Sequence, residues 1–256
     1  MDKRIPKELV PLLTKIVGSL ETVLDGSLVG IYVHGSIALG SFNYSKSDVD
    51  FLVVVRRPLT LQEKRKIIDF TLEADKEAPK KGLEFSIVTE DQVKDLAYPT
   101  PFELHYSSDW RKRYENGMVD LEKSMEDADL AAHFAITKFR GICVYGEPID
   151  EVFPDIPQEY YWRSIYEDAE SVLENLGKDP VYGILNLCRV MAFKKDRLIL
   201  SKKEGGEWAL KNLEKRFHSL VLKALKSYAS GKVGDTEYDQ EELEQFTDSM
   251  KEELVE

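Results

Sequence analysis

A chain of 256 residues is long enough to bury a sizeable core and has room for two modest domains. Its 47 acidic and 35 basic residues leave a formal charge of −12, which argues against a general nucleic-acid binder and suits a cationic substrate better. The two cysteines, Cys143 and Cys188, lack metal-ligand spacing and argue against a disulfide framework or zinc site; without a signal-like start or a run of membrane-spanning length, the expected compartment is the cytoplasm.

Leu9, Leu12, Leu13, Ile16, Val17, Leu20 and Leu24 recur at intervals of three and four, predicting an amphipathic helix over residues 6–24 that covers a sheet. Residues 29–34 read as a first strand, after which Gly35-Ser36 turns into a short helical or loop segment ending near Ser47. Ser47-Asp48-Val49-Asp50 then leads into Phe51-Leu52-Val53-Val54-Val55, a run too β-branched and too short for a helix, hence a second strand. Thr60 with Glu63 forms a capping-box pattern opening a helix to about Ala78. Residues 83–88 alternate as a third strand, with Leu83, Phe85 and Ile87 on one face and Glu84 on the other. A helix over 129–140, ended by Gly141, and a last short strand over 142–146 complete this half.

Pro154 and Pro157 mark a boundary, giving domains 1–155 and 156–256, because everything beyond has helical periodicity. One helix passes through Tyr166, Ala169, Val172, Leu173 and Leu176 and stops at Gly177. Asp179-Pro180 opens the next, as N-cap followed by proline at the first helical position. Two more helices are expected around 208–228 and 240–254. The fold class is α+β: a mixed sheet flanked by helices, followed by an all-α helical bundle.

The chemistry concentrates in three acids. Side chains in a strand repeat every two residues, so Asp48 and Asp50 project to one face, close enough to share a hard divalent cation such as Mg²⁺. If the second and third strands are neighbours, Glu84 completes the cluster, as a third ligand or as the base that takes a proton from an acceptor hydroxyl. Gly35 would let the backbone approach phosphates, and Ser36 offers a hydroxyl and an amide. In outline this is a metal-dependent nucleotidyl-transfer site. Singly, each of these residues has an ordinary structural explanation, turn formation above all. His34 and His133, on apolar elements, read as hydrogen-bonded packing residues, and Trp162, Tyr166 and Phe193 as core.

Gly35-Ser36, ten unrestricted residues and Ser47-Asp48-Val49-Asp50 together resemble the signature of the DNA-polymerase-β-like nucleotidyltransferase superfamily. More narrowly, the chain resembles the aminoglycoside 3''/9 adenylyltransferases, the streptomycin and spectinomycin resistance enzymes. The likeness extends through Asp129-Leu130-Ala131-Ala132-His133, Tyr145-Gly146, Phe153-Pro154, Asn186-Leu187-Cys188-Arg189, Ser201-Lys202 and Trp208-Ala209. It implies a nucleotidyltransferase-fold domain and a helical bundle with ATP and the drug bound in a cleft between them. By the same likeness Asp48 and Asp50 would hold Mg²⁺, Glu84 would be the catalytic base, Arg189 and Lys202 would contact the triphosphate, and Trp110 and Asp179 the drug.

The partners so implied are ATP and a cationic aminocyclitol, with no nucleic acid and no membrane, in a monomer. Relatives that also accept streptomycin carry an additional Trp and acidic residue shortly before the position of Asp179; residues 170–178 contain no Trp, and Asn175 stands roughly where the acid would be. Tyr182 stands where some relatives have His. The missing Trp and acid lean towards a spectinomycin-type 9-hydroxyl acceptor, with the streptomycin 3''-hydroxyl as a further one. The alternatives are a nucleotidyltransferase acting on a protein or RNA, and a catalytically silent nucleotide-binding module.

Overall fold

The computed structural model describes residues 2–230 and 237–255 and divides into two units, Met1–Tyr160 and Tyr161–Glu256. In the first, α1 (Val10–Leu24) buries Leu12, Leu13, Ile16, Leu20 and Leu24, the stripe set by their spacing. It leads to β1 (Leu28–Val33), the single turn α2 (Gly35–Ala38) and β2 (Val49–Val55). Next, α3 (Leu61–Ala74) opens on a complete capping box between Thr60 and Glu63, and a 3₁₀ turn, Asp75–Glu77, precedes β3 (Leu83–Thr89).

The stretch that follows carries elements the hydrophobic pattern does not predict: α4 (Glu90–Asp95), β4 (Thr100–Phe102), β5 (Leu104–Tyr106), α5 (Ser108–Glu115) and β6 (Met125–Asp127). Three-residue strands are too short to show an alternation, and α5, Ser-Asp-Trp-Arg-Lys-Arg-Tyr-Glu, has only two apolar positions. Then come α6 (Leu130–Arg140), β7 (Ile142–Gly146) and α7 (Ile149–Val152).

The main sheet has the order β5-β3-β2-β1-β7; β2 and β3 run parallel and the other pairs antiparallel, so the sheet is mixed as expected. A second, two-stranded sheet joins β4 to β6. Burial follows the period of two on both faces. Phe51, Val53, Val55, Phe85 and Ile87 pack into one core with the stripe of α1, while Leu52, Val54 and Val88 pack into another with Val93, Phe102, Leu130, Phe134 and Phe153. Each such side chain removed from water stabilises the fold by about 1.5–3 kcal/mol. Asp50 and Glu84 share the parity of Leu52 and Val88, so they stand on the second face.

The second unit is helical. Its helices are α8 (Gln158–Asn175), α9 (Pro180–Asp196), α10 (Lys202–Asn212), α11 (His218–Ser230) and α12 (Gln240–Val255). The division into units falls inside the first turn of α8, beyond both prolines. One expectation is corrected: the helix placed at 208–228 is two. α10 begins earlier, at a capping box between Ser201 and Glu204, and stops where Leu213 turns extended. Polar side chains satisfy the backbone of the break, since Asn212 Nδ2 donates to the Trp208 carbonyl at 2.9 Å and His218 Nε2 lies 3.1 Å from the Leu213 carbonyl oxygen. Of the three aromatics expected in the core only Phe193 is buried; Trp162 and Tyr166 are half-buried and gather at its edge, with Trp162 5.4 Å from Tyr166 and 6.4 Å from Phe193 between ring centroids. Among the described residues no helix is long and apolar enough to cross a membrane, and both cysteines are free, with burial pushing the Cys188 thiol up to about 12.

Candidate active site

A tight turn delivers the first acid. The Asn43 side-chain oxygen accepts from the Ser45 amide at 3.0 Å, and Ser47 Oγ accepts from the Asn43 amide at 3.1 Å, which folds the chain back immediately before Asp48. The Val49 amide then donates to the Gly82 carbonyl at 3.0 Å and starts the parallel ladder, in which Asp50 sits opposite Glu84. One carboxylate oxygen from each of Asp48, Asp50 and Glu84 lies within 4.8 Å of the others. At an effective dielectric near 20, two full charges within 4.8 Å repel by at least about 3 kcal/mol. Three such anions held together by the backbone are a donor set for a cation, and their oxygen-only chemistry suits a hard divalent ion.

Gly35 stands against this cluster. Its φ is +57°, and a Cβ there would lie 1.9 Å from Asp50 Oδ2, so both the backbone conformation and the proximity of the carboxylate require glycine. The next residue, Ser36, holds a buried hydroxyl oxygen with no hydrogen-bond partner. A buried hydroxyl left unbonded is costly, and this one directly follows the glycine that packs against Asp50.

Burial lifts the Glu84 carboxyl above the usual carboxylate range; the charge of His133 pulls it back, and Asp48, Asp129 and Asp127 push it up further. His34 and His133 do pack ring on ring, with centroids 4.7 Å apart, and His34, fully buried, is held neutral by desolvation. The packing description is nevertheless incomplete for His133, which reaches Glu84 electrostatically. Asp127 and Asp129 repeat the spacing of Asp48 and Asp50, a signal present in the sequence and passed over.

Trp110, on α5, lines a cavity of about 730 Å³ with Phe102, His105, Lys123, Glu126 and Asp127. Its ring meets His105 edge-on with centroids 5.6 Å apart, and the Arg113 guanidinium lies 4.2 Å from its centroid. His105 Nδ1 is 3.0 Å from the hydroxyl of Ser86, two residues along β3 from Glu84, and burial pushes the imidazole down to about 4. Asp127 acts electrostatically on both Glu84 and His105, which ties this cavity to the acid cluster. An aromatic wall with carboxylates suits a ligand that has an apolar ring face and ammonium groups.

The remaining expected residues belong to the second unit. Asp179 is the N-cap of α9, its carboxylate accepting from the Tyr182 amide at 3.0 Å. Arg189 stands on α9, its Nε donating to Asn186 Oδ1 at 2.7 Å, and the Lys202 ammonium lies 4.6 Å from the centroid of the Tyr182 ring. Gly205 brings α10 against α9 at this point: a Cβ on it would meet the Cα and Cβ of Arg189 at 2.9 and 2.8 Å. Two glycines inside a helix cost about 1 kcal/mol each in propensity, and Gly205 is where close approach of backbones requires one. Thus Gly35, Asp48, Asp50 and Glu84 are assembled in the first unit, which also holds Trp110 in its own cavity, while Asp179 caps the start of α9 and Arg189 and Lys202 stand on α9 and α10.

Comparison with known proteins finds relatives for both parts of the chain. The nucleotidyltransferase domain family matches residues 13–104, and the family described as aminoglycoside adenylyltransferase, C-terminal domain, matches residues 151–253. A spectinomycin 9-adenylyltransferase of Enterococcus faecalis is 28% identical over 221 residues, covering 84% of this chain and 86% of the relative. An aminoglycoside (3'') (9) adenylyltransferase of Escherichia coli is 23% identical, covering 100% of this chain and 98% of its own length. The crystal structure of a spectinomycin adenyltransferase from Enterococcus faecalis, with ATP and spectinomycin, superposes with a TM-score of 0.79 at 25% identity, covering 96% of this chain and 99% of the other.

Proposed function

The chain belongs to the aminoglycoside adenylyltransferase family within the DNA-polymerase-β-like nucleotidyltransferase superfamily, and on that premise we propose that it transfers AMP from ATP to the 9-hydroxyl of spectinomycin or a related aminocyclitol, releasing pyrophosphate. The observation that carries this reading is the convergence of Asp48, Asp50 and Glu84 within 4.8 Å beside the unpartnered Ser36 hydroxyl.

In the proposed reaction the acceptor oxygen attacks the α-phosphorus, its proton passes to Glu84, and the bond from that phosphorus to the bridging oxygen of pyrophosphate breaks. A carboxyl whose pKa burial has raised is a stronger proton acceptor than an exposed one. Asp48 and Asp50 hold Mg²⁺, which when bound supplies positive charge to the phosphate oxygens. Ser36 donates its hydroxyl to a phosphate oxygen, and Gly35 lets the backbone come close. Arg189 and Lys202 hold the departing pyrophosphate, a role suited to cations that donate several hydrogen bonds. Trp110 stacks against the drug, and Asp179 faces one of its ammonium groups. The acid-lined cavity at Trp110 and the formal charge of −12 both favour a cationic acceptor.

The absence of a Trp from residues 170–178 supports spectinomycin over streptomycin. A pyrophosphate assay with ATP, Mg²⁺ and a panel of aminoglycosides tests this: spectinomycin is expected to support turnover and streptomycin not. Equal turnover of both would overturn the specificity, and turnover of neither would overturn the acceptor class.

A further inference from the structure

Apolar neighbours surround one polar side chain on α9: Asn186 is completely buried. An amide in that position is tolerated only if both its ends are bonded. Its Nδ2 donates to Asp168 Oδ2, on α8, at 2.9 Å, and its Oδ1 accepts from Arg189 Nε at 2.7 Å. The direction is fixed by chemistry, because an ionised carboxylate only accepts and a guanidinium only donates. Asp168 also accepts from the Tyr182 hydroxyl, at 3.3 and 3.4 Å to its two oxygens, and the Tyr182 ring lies against the Lys202 ammonium. Arg189, Asn186, Asp168, Tyr182 and Lys202 therefore form one connected line across α8, α9 and α10, with the carboxylate in the middle and a cation at each end.

The amide between acid and arginine matters. A carboxylate bonded directly to Arg189 would hold it in place but would also neutralise the charge needed for a phosphate. Through Asn186, Asp168 fixes the orientation of the guanidinium without that direct pairing. We propose that Asp168 is a positioning residue for the nucleotide: acting through Asn186 on Arg189, and through Tyr182 on Lys202, it orders both cations before the triphosphate arrives. This inference rests on the assignment of Arg189 and Lys202 to the triphosphate made above.

Asp168→Asn keeps the shape of the side chain, removes its charge and turns one acceptor into a donor. ATP affinity, measured by equilibrium titration with Mg²⁺, is compared among the unmodified protein, Asp168→Asn, Arg189→Ala and the double variant. Asp168→Asn is expected to weaken ATP about fivefold or more, and by a smaller factor when Arg189 is already Ala, since part of its effect travels through that residue. If Arg189→Ala leaves ATP affinity unchanged, the triphosphate assignment itself fails. If Arg189→Ala weakens ATP as expected but Asp168→Asn does nothing, the positioning role is overturned; if Asp168→Asn does as much in the double variant as alone, the relay through Asn186 to Arg189 is overturned. Asn186→Leu, which fills the buried site without relaying a hydrogen bond, guards against a simple folding effect: it is expected to weaken ATP while the melting temperature of the ligand-free protein stays high. Normal ATP affinity in a folded Asn186→Leu protein would also refute the relay.

Discussion

Asp50 and Glu84 stand directly opposite each other in the parallel pair of β2 and β3, and the next rung, Phe51 opposite Phe85, stacks its rings with centroids 4.8 Å apart and planes 15° from parallel. The two rungs face opposite sides of the sheet. A slip of one residue would turn Phe85 out of its core and carry Glu84 away from Asp50 in the same movement. The stacked, buried phenylalanines therefore hold the register that pairs the acids, so the packing of one face sets the geometry of the chemistry on the other.

Glu84→Gln keeps the volume of the side chain and removes its capacity to accept a proton. Turnover is expected to fall by about 10²–10⁴-fold while ATP binding stays near normal. Steady-state kinetics alongside a nucleotide titration separates the roles: an equal loss of ATP affinity would make Glu84 mainly a metal ligand.

Gly35→Ala forces a side chain into a left-handed backbone conformation and onto the Asp50 carboxylate. The backbone strain alone costs about 1–2 kcal/mol. Displacing the Asp50 carboxylate by about 1 Å is expected to lower kcat by about a hundredfold. Thermal melting and an Mg²⁺ titration of activity should both shift; a variant with normal activation by Mg²⁺ would mean that the glycine serves the turn only.

Asp179 carries two expectations that different substitutions separate. Asp179→Ala removes the cap bond to the Tyr182 amide and is expected to destabilise the protein by about 0.5–2 kcal/mol. Asp179→Asn keeps a capping oxygen and loses the charge, so its stability should stay close to that of the unmodified protein while spectinomycin binds more weakly. Undiminished drug affinity in Asp179→Asn would leave only the cap.

His105 makes a prediction for pH. Its imidazole is pushed from an ordinary value near 6.5 down to about 4 by burial. A folded-state pKa below the unfolded one means that the unfolded chain takes up the proton first, so the contribution to stability is present above pH 6.5 and is lost as pH falls towards 4. Chemical denaturation across that window should show the unmodified protein losing stability faster than His105→Gln. Parallel curves would mean that the ring titrates normally.

The strands that carry the acids were legible in the sequence because β2 and β3 are long enough to show alternation and apolar continuity, and the helix caps at Thr60 and Asp179 are written in single residues. Glu84 was found by parity along its strand together with a supposed neighbour, which the register of β2 and β3 bears out. Short elements left no period to read: β4, β5, α5 and β6 hold the cavity at Trp110, and Trp110 itself was noticed through resemblance alone. His105, Asp127 and Asp168 matter through partners far away in sequence, at separations no local pattern encodes. The break between α10 and α11 was missed because no proline or glycine marks it; polar side chains of Asn212 and His218 satisfy its backbone instead.

In the proposed reaction three carboxylates use a divalent cation to move AMP onto an aminocyclitol. Mass spectrometry of spectinomycin incubated with the protein, ATP and Mg²⁺ tests it most directly, with Asp50→Asn and a chelator as parallel reactions. The account predicts a drug–AMP adduct formed in step with pyrophosphate in the complete mixture, and neither product in the other two. An adduct that forms as readily with Asp50→Asn or in the presence of chelator, or pyrophosphate release without any adduct, would contradict it.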